Sequence, residues 1–190
     1  MKTMKSEIRK QVRQRLATLD GMTRYARSLA ACKHLTSQGE FTQAEVVMIF
    51  LSLPDEVETA ALALSAWQMG KTVVVPKISW EHCRILPVEI SSLETGMVTT
   101  RHGLSEPADG QPMPVNMIDM LVVPGVAFDR HGHRLGRGVG FYDRFLSQPD
   151  CRASVCGLAF HEQVVDTLPI EPHDRPVNML VTDEEVLRFN

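Results

Sequence analysis

Apolar residues fall into two textures along this chain. In residues 2 to 19, Ile8, Val12, Leu16 and Leu19 recur at helical spacing and predict an amphipathic helix. A second helix is expected from Thr23, a candidate N-cap, to Leu35. The pattern then becomes continuous: Val46 to Leu51 is an unbroken apolar run of strand length, Glu58 to Met69 returns to helical spacing, Gly70 reads as a C-cap, and Thr72 to Val75 is again a strand. Strand, helix, strand is a βαβ unit, which implies parallel pairing with a right-handed crossover. His82 to Val88, Ile118 to Val123, Ala153 to Leu158 and Asn178 to Val181 read as further strands, and Tyr142 to Leu146 as a short helix. The polar, proline-bearing stretch from Ser91 to Asn116 reads as loop with an edge hairpin. The expected architecture is a three-layer, Rossmann-like α/β fold: one domain over residues 1 to 190 with a mainly parallel central sheet.

Composition narrows the partners. With 190 residues and 44% hydrophobic content the chain can bury a core without disulfide support. A formal net charge of -3 and a pI near 6.2 give no global basic field, which argues against nucleic acid or an anionic membrane as the main partner. No apolar run approaches the roughly 20 residues that span a bilayer, and the first 20 residues are charged rather than signal-like. The expectation is a cytoplasmic monomer. Cys32, Cys83, Cys151 and Cys156 form no CxxC pair or metal spacing and read as structural thiols.

The chemistry concentrates between Pro124 and Leu146, PGVAFDRHGHRLGRGVGFYDRFL. Pro124 and Gly125 stop the strand before it and open a long loop at its carboxyl end, where ligands bind in α/β folds. Gly136, Gly138 and Gly140 alternate with Arg137 and Val139, which lets backbone N–H groups converge on phosphate oxygens with no Cβ in the way. Arg134 and Arg137 add cationic forks, and the helix starting near Phe141 directs its positive end to the same place. The spacing is neither a P-loop nor a dinucleotide-binding fingerprint. Asp143 has two readings, a carboxylate that satisfies the helix dipole or one that holds Mg²⁺ against a triphosphate. His131 and His133 flank Gly132 without a third ligand nearby and read as turn residues.

The segment resembles the signature of the 5-formyltetrahydrofolate cyclo-ligase (5,10-methenyltetrahydrofolate synthetase) family. Three more blocks follow the family's order: Lys5-Ser6-Glu7-Ile8-Arg9, Phe50-Leu51-Ser52-Leu53-Pro54-Asp55-Glu56-Val57-Glu58, and Pro169-Ile170-Glu171-Pro172-His173-Asp174. The resemblance implies a folate enzyme of one-carbon metabolism. It would close 5-formyltetrahydrofolate to 5,10-methenyltetrahydrofolate with ATP and Mg²⁺, releasing ADP and phosphate. By family pattern, the Lys5 to Arg9 block and the run Arg134, Leu135, Gly136, Arg137, Gly138, Val139, Gly140, Phe141 and Tyr142 would bind ATP. Leu53, Glu58 and the stretch Arg137 to Phe141 would bind the folate, with Glu58 accepting from pterin N–H groups. Asp143 and Asp174 would hold Mg²⁺, and Arg137 with the amides of Gly138 and Gly140 would stabilise the transferring charge. His102 is a candidate folate contact. Val139 stands where several members carry a polar or basic side chain, and Phe141 where many carry tyrosine.

The residues outside the glycine segment carry their own signals. Lys2, Lys5, Arg9 and Arg13 form a cationic stripe that flanks the apolar face of the first helix. A flank can reach a neighbouring cleft. Asp55, Glu56 and Glu58 lie between a strand end and the next helix, at the same sheet edge as the glycine loop.

Overall fold

The computed structural model describes residues 2–100, 103 and 105–189. Helices α1 (Lys2–Leu16), α2 (Gly21–Thr36) and α3 (Gly39–Gln43) lead into strand β1 (Val46–Met48), helix α4 (Ala60–Gln68) and strand β2 (Thr72–Ser79). Strands β3 (Arg84–Ile90), β4 (Met97–Thr99), β5 (Ser105–Pro107) and β6 (Met120–Val123) follow, then the short strands β7 (Ala127–Asp129) and β8 (Arg134–Leu135). Helix α5 (Phe141–Leu146) and strands β9 (Ser154–Leu158), β10 (Val164–Val165), β11 (Met179–Val181) and β12 (Val186–Arg188) complete the order.

Seven strands form the central sheet in the order β12, β11, β9, β6, β1, β2, β3. The five inner strands pair in parallel, and β12 and β3 close the edges antiparallel. Buried parallel strands read as unbroken apolar runs because helices cover both faces. In β6, all four residues are buried, and they alternate between two cores. Met120 and Val122 join Val12, Leu35 and Leu62 of the α1, α2 and α4 layer, while Leu121 and Val123 join Phe145 of α5.

Several sequence expectations shift. Helix α1 stops at Leu16, although Leu19 still packs on the core. The N-cap of α2 is Asp20, not Thr23: its carboxylate accepts from the Thr23 N–H at 2.8 Å. The expected long loop after Pro124 is partly a hairpin, because β7 and β8 pair antiparallel and β10 adds a third strand. Asp129, almost fully buried, organises the turn by accepting from the N–H groups of His131, His133 and Leu168, and it lies 2.9 Å from His133 Nδ1. Both histidines therefore serve the turn. Cys32 and Cys156 are buried, and burial pushes the Cys32 thiol up to about 12, which leaves it unreactive. Cys83 is the exception, exposed in the β2–β3 turn at φ +49°.

Chain order sets where a ligand can sit. From β1 the chain moves one way to β2 and β3, then crosses to the other side for β6, β9 and β11. The crossovers diverge between β1 and β6, so a crevice opens at their carboxyl ends.

Candidate active site

A cavity of about 540 Å³ occupies that crevice, within the usual size of a small-molecule site. Phe50, Leu51 and Leu53 enter it from beyond β1, and Pro124 and Gly125 from beyond β6. Gly125 has a packing role: a Cβ there would lie 2.8 Å from the Phe128 ring and 3.0 Å from Arg134 Cγ. Its absence lets the β8 arginine pass close beneath the strand end.

One side of the cavity is cationic. Arg134, with its side chain only 3% exposed, donates from Nη2 to Asp143 Oδ1 at 2.7 Å and lies over the Tyr142 ring. Arg134 Nε is buried and has no hydrogen-bond partner among the described residues, the kind of orphan donor that a bound acceptor satisfies. Arg137 donates to Asp55 and to Glu56 Oε1, the latter at 3.0 Å from Nη2. Burial pushes the Glu56 carboxyl up, while the Leu53 N–H and Arg137 pull against that. Gly138 holds φ +109°, a left-handed setting that suits glycine, and Gly140 caps α5.

Helix α1 supplies a second set of cations. Arg9 Nε donates to the Gly136 carbonyl at 2.9 Å, tying the helix to the loop. Lys5 Nζ donates to Asp174 at 2.7 Å and to Glu171 at 2.9 Å. Burial opposes the Lys5 charge, yet the two carboxylates outweigh it and raise the lysine. Asp174 is lowered despite its own desolvation, through Lys5 and the Glu171 N–H. Donor atoms of Glu171, His173 and Asp174 lie within 4.8 Å of one another, a grouping compatible with a cation.

The other side is apolar. Pro76 and Ile78 of β2 and Trp80 just beyond it line the wall. Trp80 meets Phe141 edge-on, with ring centroids 5.2 Å apart. Arg144 lies over the same Phe141 ring and donates to the carbonyls of Val139 and Cys83, fastening the glycine loop to the β2–β3 turn.

The structure brings most sequence candidates to one cavity: Lys5, Arg9, Leu53, the run Arg134 to Asp143, and Asp174. It does not bring Ser6, Glu7 or Ile8: helical periodicity turns Ser6 and Glu7 away from the face that Lys5 and Arg9 share, and Ile8, one step round the helix, packs on the core instead. Ser6 and Glu7 are exposed, and Glu7 bonds Gln11. Glu58 is exposed and faces a smaller neighbouring depression with Arg24, Tyr25 and Ser28. Val139 is exposed at the rim. His102 lies outside the described residues. Sequence reasoning missed Pro76, Ile78 and Trp80, which carry no motif, and Glu106, a buried carboxylate on β5.

An open α/β sheet with a glycine-rich, cation-lined pocket at its switch point defines a small-molecule enzyme site. The chain belongs to the 5-formyltetrahydrofolate cyclo-ligase family, a family of enzymes whose sequence profile matches residues 1–183. The 5-formyltetrahydrofolate cyclo-ligase of Haemophilus influenzae is 33% identical over 187 residues, covering 93% of this chain and 97% of that protein. The mouse enzyme of the same name is 27% identical over 190 residues, covering 95% and 94%. Among solved structures, Aquifex aeolicus 5,10-methenyltetrahydrofolate synthetase superposes with a TM-score of 0.85 at 32% identity, over 98% of this chain and 93% of that one. The Mycoplasma pneumoniae synthetase shares the fold at a TM-score of 0.76 and 20% identity, over 94% of this chain and 98% of that one. No helix among the described residues is long and apolar enough to cross a membrane.

Proposed function

We propose that this enzyme cyclises 5-formyltetrahydrofolate to 5,10-methenyltetrahydrofolate, consuming ATP with Mg²⁺ and releasing ADP and phosphate. The observation that carries this reading is one cavity with two unlike sides: glycine loop and cations on one, and the flat apolar surfaces of Pro76, Ile78, Trp80 and Phe141 on the other. The first suits a polyphosphate and the second a planar ring, so both reactants can meet without leaving the site.

The chemistry needs positioning more than a protein nucleophile. A formyl oxygen is a poor leaving group; transfer of the γ-phosphoryl group to it, with ADP leaving, makes a good one, the neighbouring aryl amine attacks the formyl carbon and gives up its N–H proton, and departure of the oxygen as phosphate leaves the closed ring. Arg134, with its orphan Nε, and Arg137 supply fixed positive charge. The amides of Gly138 and Gly140 add donors that need no reorganisation. Lys5 and Arg9 close the phosphate side from α1. Arg137 begins on Glu56 and Asp55, so phosphate competes with two carboxylates for its guanidinium.

The carboxylates at hand fit a hard divalent cation: Asp174 and Glu171 already gather around an ammonium group, and Asp143 faces the same cavity. Asp143 and Asp174 would hold Mg²⁺ there, where it would neutralise phosphate charge.

Purified protein mixed with 5-formyltetrahydrofolate, ATP and Mg²⁺ is expected to develop the near-ultraviolet band of the methenyl product, with phosphate released in step. Folded protein that gives neither signal would refute the reading.

A further inference from the structure

The segment from Pro124 to Leu146 holds four arginines, and three of them pair with carboxylates: Arg130 with Glu185, Arg134 with Asp143, and Arg137 with Asp55 and Glu56. Arg144, exposed on α5, pairs with no carboxylate among the described residues. It directs its guanidinium at two carbonyls instead: Nη2 donates to Val139 at 2.7 Å and Nε to Cys83 at 2.9 Å. Arg144 stands outside the cavity, whereas Val139 and Gly140 line it. The Val139 carbonyl therefore points out of the cavity. Val139 and Gly140 share one trans peptide, in which the carbonyl and the N–H lie in a plane and point opposite ways. The Gly140 N–H is thereby turned back toward the cavity, and no acceptor among the described residues takes it. The far end of the fork is anchored too: Cys83 holds φ +49° in the β2–β3 turn, a left-handed setting that no other non-glycine residue among the described ones adopts. The Phe141 ring, with its centroid 5.6 Å from Arg144 Cζ, supports the same guanidinium.

We infer that Arg144 is a positioning residue for phosphoryl transfer: it touches neither reactant, and from behind the glycine loop it aims the Gly140 N–H at the phosphate. This rests on the ATP-consuming reaction proposed above. Charge that grows on the transferring group is stabilised by donors already in place, and a misplacement of about 1 Å can cost about 100-fold in rate. Glycine at position 140 leaves the loop free to turn that amide elsewhere, so its direction must be imposed from outside. The planar guanidinium does so because one rigid fork holds two carbonyls in fixed directions at once, which an ammonium on a flexible stem does not. The second carbonyl belongs to the turn that follows Trp80, so the loop is held against a fixed element of the sheet and not against solvent.

The test is Arg144→Met in the full chain, with kcat and both KM values measured alongside the melting temperature. Arg144 is exposed, so the variant should melt with the wild type, while kcat falls about 10- to 100-fold and KM for 5-formyltetrahydrofolate stays unchanged. Arg144→Lys restores the charge without the fork and should recover little of the lost rate. A full kcat in either variant, or a loss of rate matched by a fall in melting temperature and rises in both KM values, overturns the inference. Nuclear magnetic resonance supplies an arm independent of turnover: on addition of a non-hydrolysable ATP analogue with Mg²⁺, the Gly140 amide proton should move downfield in the wild type and far less in Arg144→Met. A wild-type Gly140 resonance that stays in place while the analogue binds overturns the inference even if the variant does not fold. Wild-type protein that binds no analogue and turns over no substrate would instead strike the proposed reaction itself.

Discussion

The two sides of the cavity are built by different means. On the cationic side the charged groups hold one another: Arg134 grips Asp143, Arg137 grips Glu56 and Asp55, and Lys5 grips Asp174 and Glu171. On the β2 side, Pro76, Ile78, Trp80 and Phe141 define a shape, with one buried carboxylate among them. The first side is a preformed charge lattice whose geometry is set before a ligand arrives. The second selects by contour. A defect in the lattice therefore spreads into stability, whereas a defect in the contour stays with one ligand.

The largest expected effect comes from breaking the lattice at its most buried member. Arg134→Met leaves Asp143 without its cation in a largely enclosed place, and removing one partner of a buried pair costs about 3–5 kcal/mol. Denaturant unfolding should show that loss together with collapse of activity; full stability would mean that the pair does not organise the site. Next comes Gly138→Ala. Nothing crowds a Cβ there, the nearest atom being Arg9 Nη2 at 3.7 Å, so the effect is conformational strain at φ +109°. A strain of about 1–3 kcal/mol should appear mainly as weaker ATP binding in titration calorimetry.

These effects also mark what was legible in the sequence. The inner strands could be read because double-sided burial leaves no polar position in Val46 to Met48 or Met120 to Val123. Lys5 and Arg9 could be read because a helix period is short-range. The β7–β8 hairpin could not, since it depends on Asp129 satisfying amides as distant as Leu168. The apolar side was also hidden: Pro76 and Ile78 look like ordinary strand residues, and Glu106 looks like loop polarity until β5 is laid against β2. Charge motifs announce themselves locally, but a shape assembled from separate strands does not.

A smaller effect sharpens the contour side. Trp80→Ala removes an edge-on aromatic contact with Phe141, and loss of such a pair, about 0.5–1.5 kcal/mol, should raise the folate KM a few-fold with the melting temperature nearly unchanged. The smallest is a pH effect in metal-free buffer. Asp174 is held below its ordinary 3.8, so its contribution is present above that value and lost as pH falls through the folded one. Lys5 is held above 10.5, so its contribution is full below that value and lost as pH rises through the folded one. The melting-temperature difference between wild type and Lys5→Met should be level at neutral pH and shrink at both extremes; a difference independent of pH would contradict the ion-pair account.

The most direct measurement is a crossed one: KM for ATP and for 5-formyltetrahydrofolate in Gly138→Ala and Trp80→Ala, under one set of conditions. The two-sided cavity predicts that the glycine variant weakens ATP and spares the folate, and that the tryptophan variant does the reverse. Parallel rises of both constants in both variants would contradict it.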